Sequence, residues 1–156
     1  MGHNYGKQFE SKFRENWSNQ FKDSFLIRLQ DAQSGYYGAS NPCDFIGFVK
    51  NKLFLIECKS IHGNTLPFSN IRQYDKLLSN KGKTNVFPGI ILWWVDLDKI
   101  AWVPIESIEH MKKDNKKSVN IKMLLNNEYN ILEIPSVKKR IFMDSDYTVL
   151  TTLGDN

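Results

Sequence analysis

Aromatic residues recur at every fourth position at Phe9, Phe13 and Trp17, which sets three rings on one stripe and predicts an amphipathic helix over residues 6–19. The run SFLIRL at 24–29 predicts a strand, and the Gly-, Ser-, Asn- and Pro-rich stretch SGYYGASNP at 34–42 predicts a loop. Two apolar runs, 44–49 and 53–58, flank Lys50-Asn51-Lys52 and predict a β-hairpin. Both are apolar at successive positions, as in interior strands covered on both faces. Residues 63–67 predict a loop, and 70–79 a helix with Ile71, Tyr74 and Leu78 on one face. VFPGIILWWV at 86–95 predicts a buried strand, Asp96-Leu97-Asp98 a turn, and KIAWVP at 99–104 its antiparallel neighbour. A short helix over 105–112 follows, then a helical stretch over 118–125 and an extended one over 130–134. The order, α β ββ α β β α with a less regular tail, describes one domain over residues 1–156 of α/β or α+β type, built around a mixed central β-sheet flanked by helices.

Composition narrows the class. With 41% hydrophobic and 24% charged residues the chain is expected to be globular. Its longest apolar runs are too short to span a bilayer, and the start MGHNYGKQFESKF has no apolar core of a secretory signal, so a cytoplasmic location is expected. Cys43 and Cys58 lack ligand-spaced histidines, which argues against zinc and for two free thiols. A net charge of +4 permits a polyanionic partner without requiring one. Lysines cluster at Lys112, Lys113, Lys116, Lys117 and Lys122, and again at Lys138, Lys139 and Arg140; each cluster reads equally as a solvated face. Trp93, Trp94 and Trp102 read as core packing. Tyr36 and Tyr37 read as loop anchors or DNA contacts, and His62 lies close enough to the hairpin to reach a substrate there. Neither a Ser/His/Asp set nor a Gly-rich phosphate loop is present, which argues against a side-chain nucleophile and against an NTPase.

The chemistry sits on the hairpin. Strand alternation puts Glu57 and Lys59 on one face and turns Cys58 away. A two-residue turn at Lys50-Asn51 sets Asp44 opposite Glu57, with Cβ atoms about 4.5–5.5 Å apart. A three-residue turn would set Asp44 opposite Cys58 and separate the carboxylates. Two carboxylates that close repel unless a cation or a proton lies between them. Mg2+ takes hard oxygen ligands and keeps several waters, so two carboxylates plus a substrate phosphate suit it. A neighbouring lysine adds a charge for the phosphate or for an attacking water. The parts fit phosphodiester hydrolysis. The alternative is a strand end emerging into water with an ordinary Glu–Lys pair.

Pro42-Cys43-Asp44 followed by Glu57-Cys58-Lys59 resembles the PD-(D/E)xK nuclease motif, and the chain resembles the RecU family of Holliday junction resolvases within that superfamily. Gly6 to Glu10 (GKQFE) is similar to the family's first-helix motif, residues 41–60 (NPCDFIGFVKNKLFLIECKS) to its Asp–hairpin–Glu-x-Lys block, and residues 66–77 (LPFSNIRQYDKL) to the segment carrying its glutamine. Residues 134–135 and 140–147 resemble its C-terminal part.

The resemblance implies a restriction-endonuclease-like core and a homodimeric Mg2+-dependent endonuclease, Mn2+ able to substitute, acting on branched DNA in recombination and repair. It implies Asp44, Glu57 and the backbone carbonyl of Cys58 as metal ligands, with Glu10 from the first helix beside them. Lys59 would be the catalytic lysine, and Gln73 would hold the water or that lysine. Lys7, Arg28 and Arg72 are the candidate nucleic-acid contacts. Two departures stand out. Where relatives carry a long basic stalk, this chain has only QDAQSGYYGASN at 30–41, with no Lys or Arg, and position 43 is Cys where a small hydroxyl residue is usual. The short interval keeps two alternatives open: a nuclease for flaps or duplex DNA, and an inactive nucleic-acid-binding module.

Overall fold

A computed structural model describes residues 4–30 and 41–155. The expected loop at 34–42, with Tyr36 and Tyr37, therefore lies almost wholly outside the described residues.

Helix α1 (Tyr5–Gln20) opens with the Asn4 side chain accepting from the Lys7 backbone N–H, and strand β1 (Ser24–Arg28) follows. Strands β2 (Phe45–Val49) and β3 (Lys52–Ile61) form the hairpin. Lys50 and Asn51, with φ of 51° and 63°, supply the two-residue turn whose left-handed residues match strand twist. Val49 pairs with Lys52 and Phe45 with Ile56, the register expected from that turn. β3 continues past the reach of β2. It then runs parallel to β5 (Val86–Trp94), which turns through a short 3-10 segment and the left-handed Asp98 into antiparallel β6 (Lys99–Pro104).

Between β3 and β5 lie β4 (Thr65–Pro67) and the short helix α2 (Tyr74–Leu78). After β6 come α3 (Ile105–Lys113), β7 (Ser118–Asn120), α4 (Ile121–Leu125), β8 (Leu132–Ile134), and the small β9 (Ser136–Lys138) and β10 (Met143–Ser145). The main sheet has six strands in the order β1-β2-β3-β5-β6-β8, parallel only between β3 and β5. This is the expected mixed sheet flanked by helices.

Alternation along the central strands sends side chains to two cores. Phe54, Ile56, Ile91, Trp93 and Trp102 face the α1 stripe of Phe9, Phe13 and Trp17. Leu55, Ile90, Leu92, Trp94 and Val103 face α2, α3 and α4 through Leu77, Ile108, Met111 and Leu124. The three tryptophans are core residues, as expected. Gly47 lets α1 come close: a Cβ there would stand 2.9 Å from the Trp17 ring. The helix is thereby held against the hairpin that carries the charged residues.

Three expectations need correcting. Residues 70–79 are not one helix: a 3-10 turn at Phe68–Asn70 precedes α2, and Gln73 is the residue before the helix, with φ −103° and ψ 21°. Residues 118–125 begin as a strand because Ser118–Asn120 pairs with β4, in the stretch read as a loop; Asn120 then caps α4 by accepting from Lys122 N–H. This pairing joins segments about fifty residues apart, which no local pattern records. Among the described residues, no helix is long and apolar enough to cross a membrane.

Candidate active site

The site forms where β3 outruns β2. Asp44 is one residue beyond the hairpin ladder. Its N–H donates to Ile56 O (2.9 Å) and its C=O accepts from Leu29 N–H (2.8 Å), so strict pairing gives way there as in a bulge. Asp44 therefore does not stand squarely across from Glu57 as the simple register implies. Its carboxylate bends to accept from the Cys58 backbone N–H at 3.0 Å. A strand residue presents N–H and C=O to the same edge, so the Cys58 carbonyl also faces the side on which Asp44 lies.

Asp44, Glu57, Cys58 and Lys59 share one polar cleft of about 620 Å3 with Glu10, Arg28, Ser60, Ser69, Asn70, Arg72 and Gln73. Glu57 is only 3% exposed, and among the described residues its Oε2 has no hydrogen-bond partner. Burial pushes its carboxyl up to about 7 and the Asp44 charge adds to this, against Lys59 and Arg72. Asp44 is also raised, first by burial, with the Cys58 N–H and the Arg28 and Lys59 charges opposing. Gln73 Oε1 is a second buried oxygen without a partner among the described residues. Unpaired oxygens are costly in a protein interior, and here they line one cleft. An oxygen-seeking divalent cation is the kind of ligand that fits them.

Glu10 reaches the cleft wall, but its carboxylate accepts from Arg28 Nε at 2.6 Å. Among the described residues, no three His, Cys, Asp or Glu side chains converge as a metal-holding group. Glu10 is thus engaged by Arg28 and does not join Asp44 and Glu57 in a three-carboxylate cluster. Lys7 is exposed on the first turn of α1 and does not line the cleft. His62 is also absent from the cleft; it pairs with Asp96 at 3.0 Å and meets the Tyr5 ring edge-on. Both cysteines are free thiols. Sequence reasoning did not single out Ser60, Ser69 and Asn70; the available signals were that Ser60 directly follows Lys59 and that the polar step Ser69-Asn70 lies one residue before Arg72-Gln73.

The sequence model of the RecU family, Recombination protein U, matches residues 22–141. The chain belongs to the RecU family. Among solved structures this RecU-family chain is similar to Hjc of Archaeoglobus fulgidus, described as a Holliday junction resolvase from an archaeal hyperthermophile. The match has a TM-score of 0.58 and 16% identity, over 82% of this chain and 95% of that one. At that identity the likeness establishes the restriction-endonuclease-like fold. No curated protein matches the sequence. The family match spans β1, the hairpin, β5 and β6, and so contains the whole cleft except Glu10.

Proposed function

We propose that this chain is a Mg2+-dependent DNA endonuclease that cuts branched molecules, with the four-way Holliday junction as substrate, and that it works as a homodimer. The observation that carries this reading is the orphaned Glu57 Oε2, buried beside Asp44 and Lys59 in a polar cleft of a RecU-family fold. Asp44, Glu57 and the Cys58 carbonyl would hold the ion, Mn2+ serving in place of Mg2+. When bound, the ion supplies Lewis-acid stabilisation of charge on the phosphate and makes water a better nucleophile.

The remaining steps belong to the chain. The Cys58 N–H fixes the Asp44 carboxylate in one orientation. Lys59, on the Glu57 face of β3, places a positive charge where the phosphate gathers negative charge and donates to the attacking water. The free Oε1 of Gln73 accepts a hydrogen bond from that water and so orients it. Arg72 and Arg28, on the cleft wall, position the phosphates that flank the scissile bond. The oxygen of water bonds to phosphorus as its proton passes to a neighbouring solvent water, the P–O bond to the leaving sugar oxygen breaks, and that oxygen takes up a proton from solvent.

Resolving a four-way junction needs two symmetric cuts, hence two cleft copies related by a two-fold axis. Phe25 stacks on Phe48 (ring centres 5.7 Å apart) beside Ile27 on an exposed part of the β1–β2 face, which is the kind of apolar surface a second copy covers.

A second reading, cleavage of flaps or duplex DNA, is favoured by one specific feature: the interval 30–41, without Lys or Arg, stands where relatives carry a basic stalk. Cleavage of a mobile four-way junction and of a duplex of equal sequence separates the two. Junction resolution is expected to yield paired, symmetric nicks with the duplex left intact. Equal cutting of both substrates overturns the junction reading and leaves the nuclease.

A further inference from the structure

Beside the cleft lies a groove of about 570 Å3 lined by Phe68, Ser69, Lys112, Lys116 and Lys117, and Ser69 lines both. Resting on the nuclease reading above, we propose that this groove is a track for the phosphate backbone of a DNA arm leaving the catalytic cleft.

Continuity is the first argument. β4 pairs with β7 from Thr65–Asn120 to Pro67–Ser118, and the Phe68 N–H donates to Lys117 O at 3.0 Å. The lysine-bearing loop between α3 and β7 is therefore tied to the segment that carries Ser69, Asn70, Arg72 and Gln73 into the cleft. A strand seated at Asp44 and Glu57 that passes Arg72 and Ser69 meets the lysines next.

Charge is the second argument. Lys81 and Lys138 are paired with Glu109 and Asp98. Among the described residues, Lys112, Lys116 and Lys117 have no carboxylate partner at ion-pair distance. The acidic residue within their cluster, Asp114, accepts from the Tyr129 hydroxyl at 2.7 Å. Lys112 Nζ stands 3.6 Å from the centre of the Tyr74 ring and 5.8 Å from that of Phe68. Aromatic faces hold an ammonium without neutralising it, so the groove presents positive charge from a fixed position. Phosphates read by lysines as point charges fit such a surface.

The test compares binding of a four-way junction by the full chain, its K116A/K117A variant and a K22A/K50A control, over a series of salt concentrations. Lys22 and Lys50 are exposed at the hairpin-turn end of the sheet, opposite the cleft, because Ser24 pairs with Val49. Loss of two phosphate contacts is expected to lower the salt slope by about two and to weaken binding by roughly 30-fold near 0.15 M salt. The control is expected to bind like the wild type. Trimming the junction arms to a few base pairs is expected to erase the difference between K116A/K117A and wild type. An unchanged slope and affinity for K116A/K117A, with wild-type binding intact, overturns the track alone. Wild-type protein that shows no salt-dependent DNA binding overturns the track together with the functional reading beneath it.

Discussion

Strand β3 buries two charged residues and treats them in opposite ways. Lys52, at its start, is 8% exposed and is answered by an opposite charge and a carbonyl: its ammonium donates to Thr151 O at 2.7 Å and to Asp155 at 2.9 Å. Glu57, five residues on, is 3% exposed, and one of its oxygens has no partner. Both side chains bear the desolvation cost of burial. At Lys52 the C-terminal segment offsets it, so the charge serves to fasten that segment to the sheet. At Glu57 the charges of Lys59 and Arg72 offset it only in part, no described group bonds to its second oxygen, and the remaining cost pushes the carboxyl up to about 7. A buried charge with its bonds satisfied marks architecture, and one left open beside a second carboxylate and a lysine marks a binding site.

Substitution breaks the comparison most sharply. Glu57→Gln keeps the shape and removes the charge; with Asp44→Asn it is expected to lower Mg2+-dependent junction cleavage by at least roughly 10²–10³-fold, on the scale of losing one charge-stabilising group, and to leave DNA binding intact. Lys52→Met is expected to leave cleavage per folded molecule unchanged. Gel assays at matched folded concentrations check both; equal rates for Glu57→Gln and wild type would remove Glu57 from the chemistry.

The next effect is on stability against pH. The folded-state carboxyl of Glu57 lies at about 7, above its ordinary 4.5, so between those values the folded state binds more protons than the unfolded one. Stability therefore falls as pH rises through that window, by on the order of 3 kcal/mol at most. Asp44, also raised, adds in the same direction. Urea unfolding at pH 5 and pH 8 in a chelating buffer is expected to show this drop in wild type and a flatter profile in Glu57→Gln. The smallest effect belongs to Lys52→Met, which loses two hydrogen bonds and is expected to cost about 1–3 kcal/mol at either pH.

Much of this was legible before any coordinates. Phe9, Phe13 and Trp17 announced α1 because a four-residue stripe has one local meaning. Lys50-Asn51 fixed the hairpin register because turn length and side-chain parity are coupled. Asp44, Glu57 and Lys59 were drawn to one place by that register and by the resemblance. What stayed hidden depended on distant partners. The departure from pairing at Asp44 answers to Leu29 and Cys58. The engagement of Glu10 by Arg28 joins a helix to a strand, and the strand at Ser118–Asn120 exists only because β4 lies beside it. Gln73 stepped off its helix because the Ile71 and Tyr74 N–H groups close tight turns on Phe68 O and Ile71 O, so that α2 starts only at Tyr74.

Calorimetric titration of the metal-free chain with Mg2+ near pH 6.5, in buffers of different ionisation enthalpy, tests most directly whether Glu57 is a metal seat. Ligands must shed their protons to bind a cation. The wild type is therefore expected to bind Mg2+ with release of protons to the buffer, and Glu57→Gln to lose that binding. Binding by Glu57→Gln equal to wild type, or none by wild type, would contradict it.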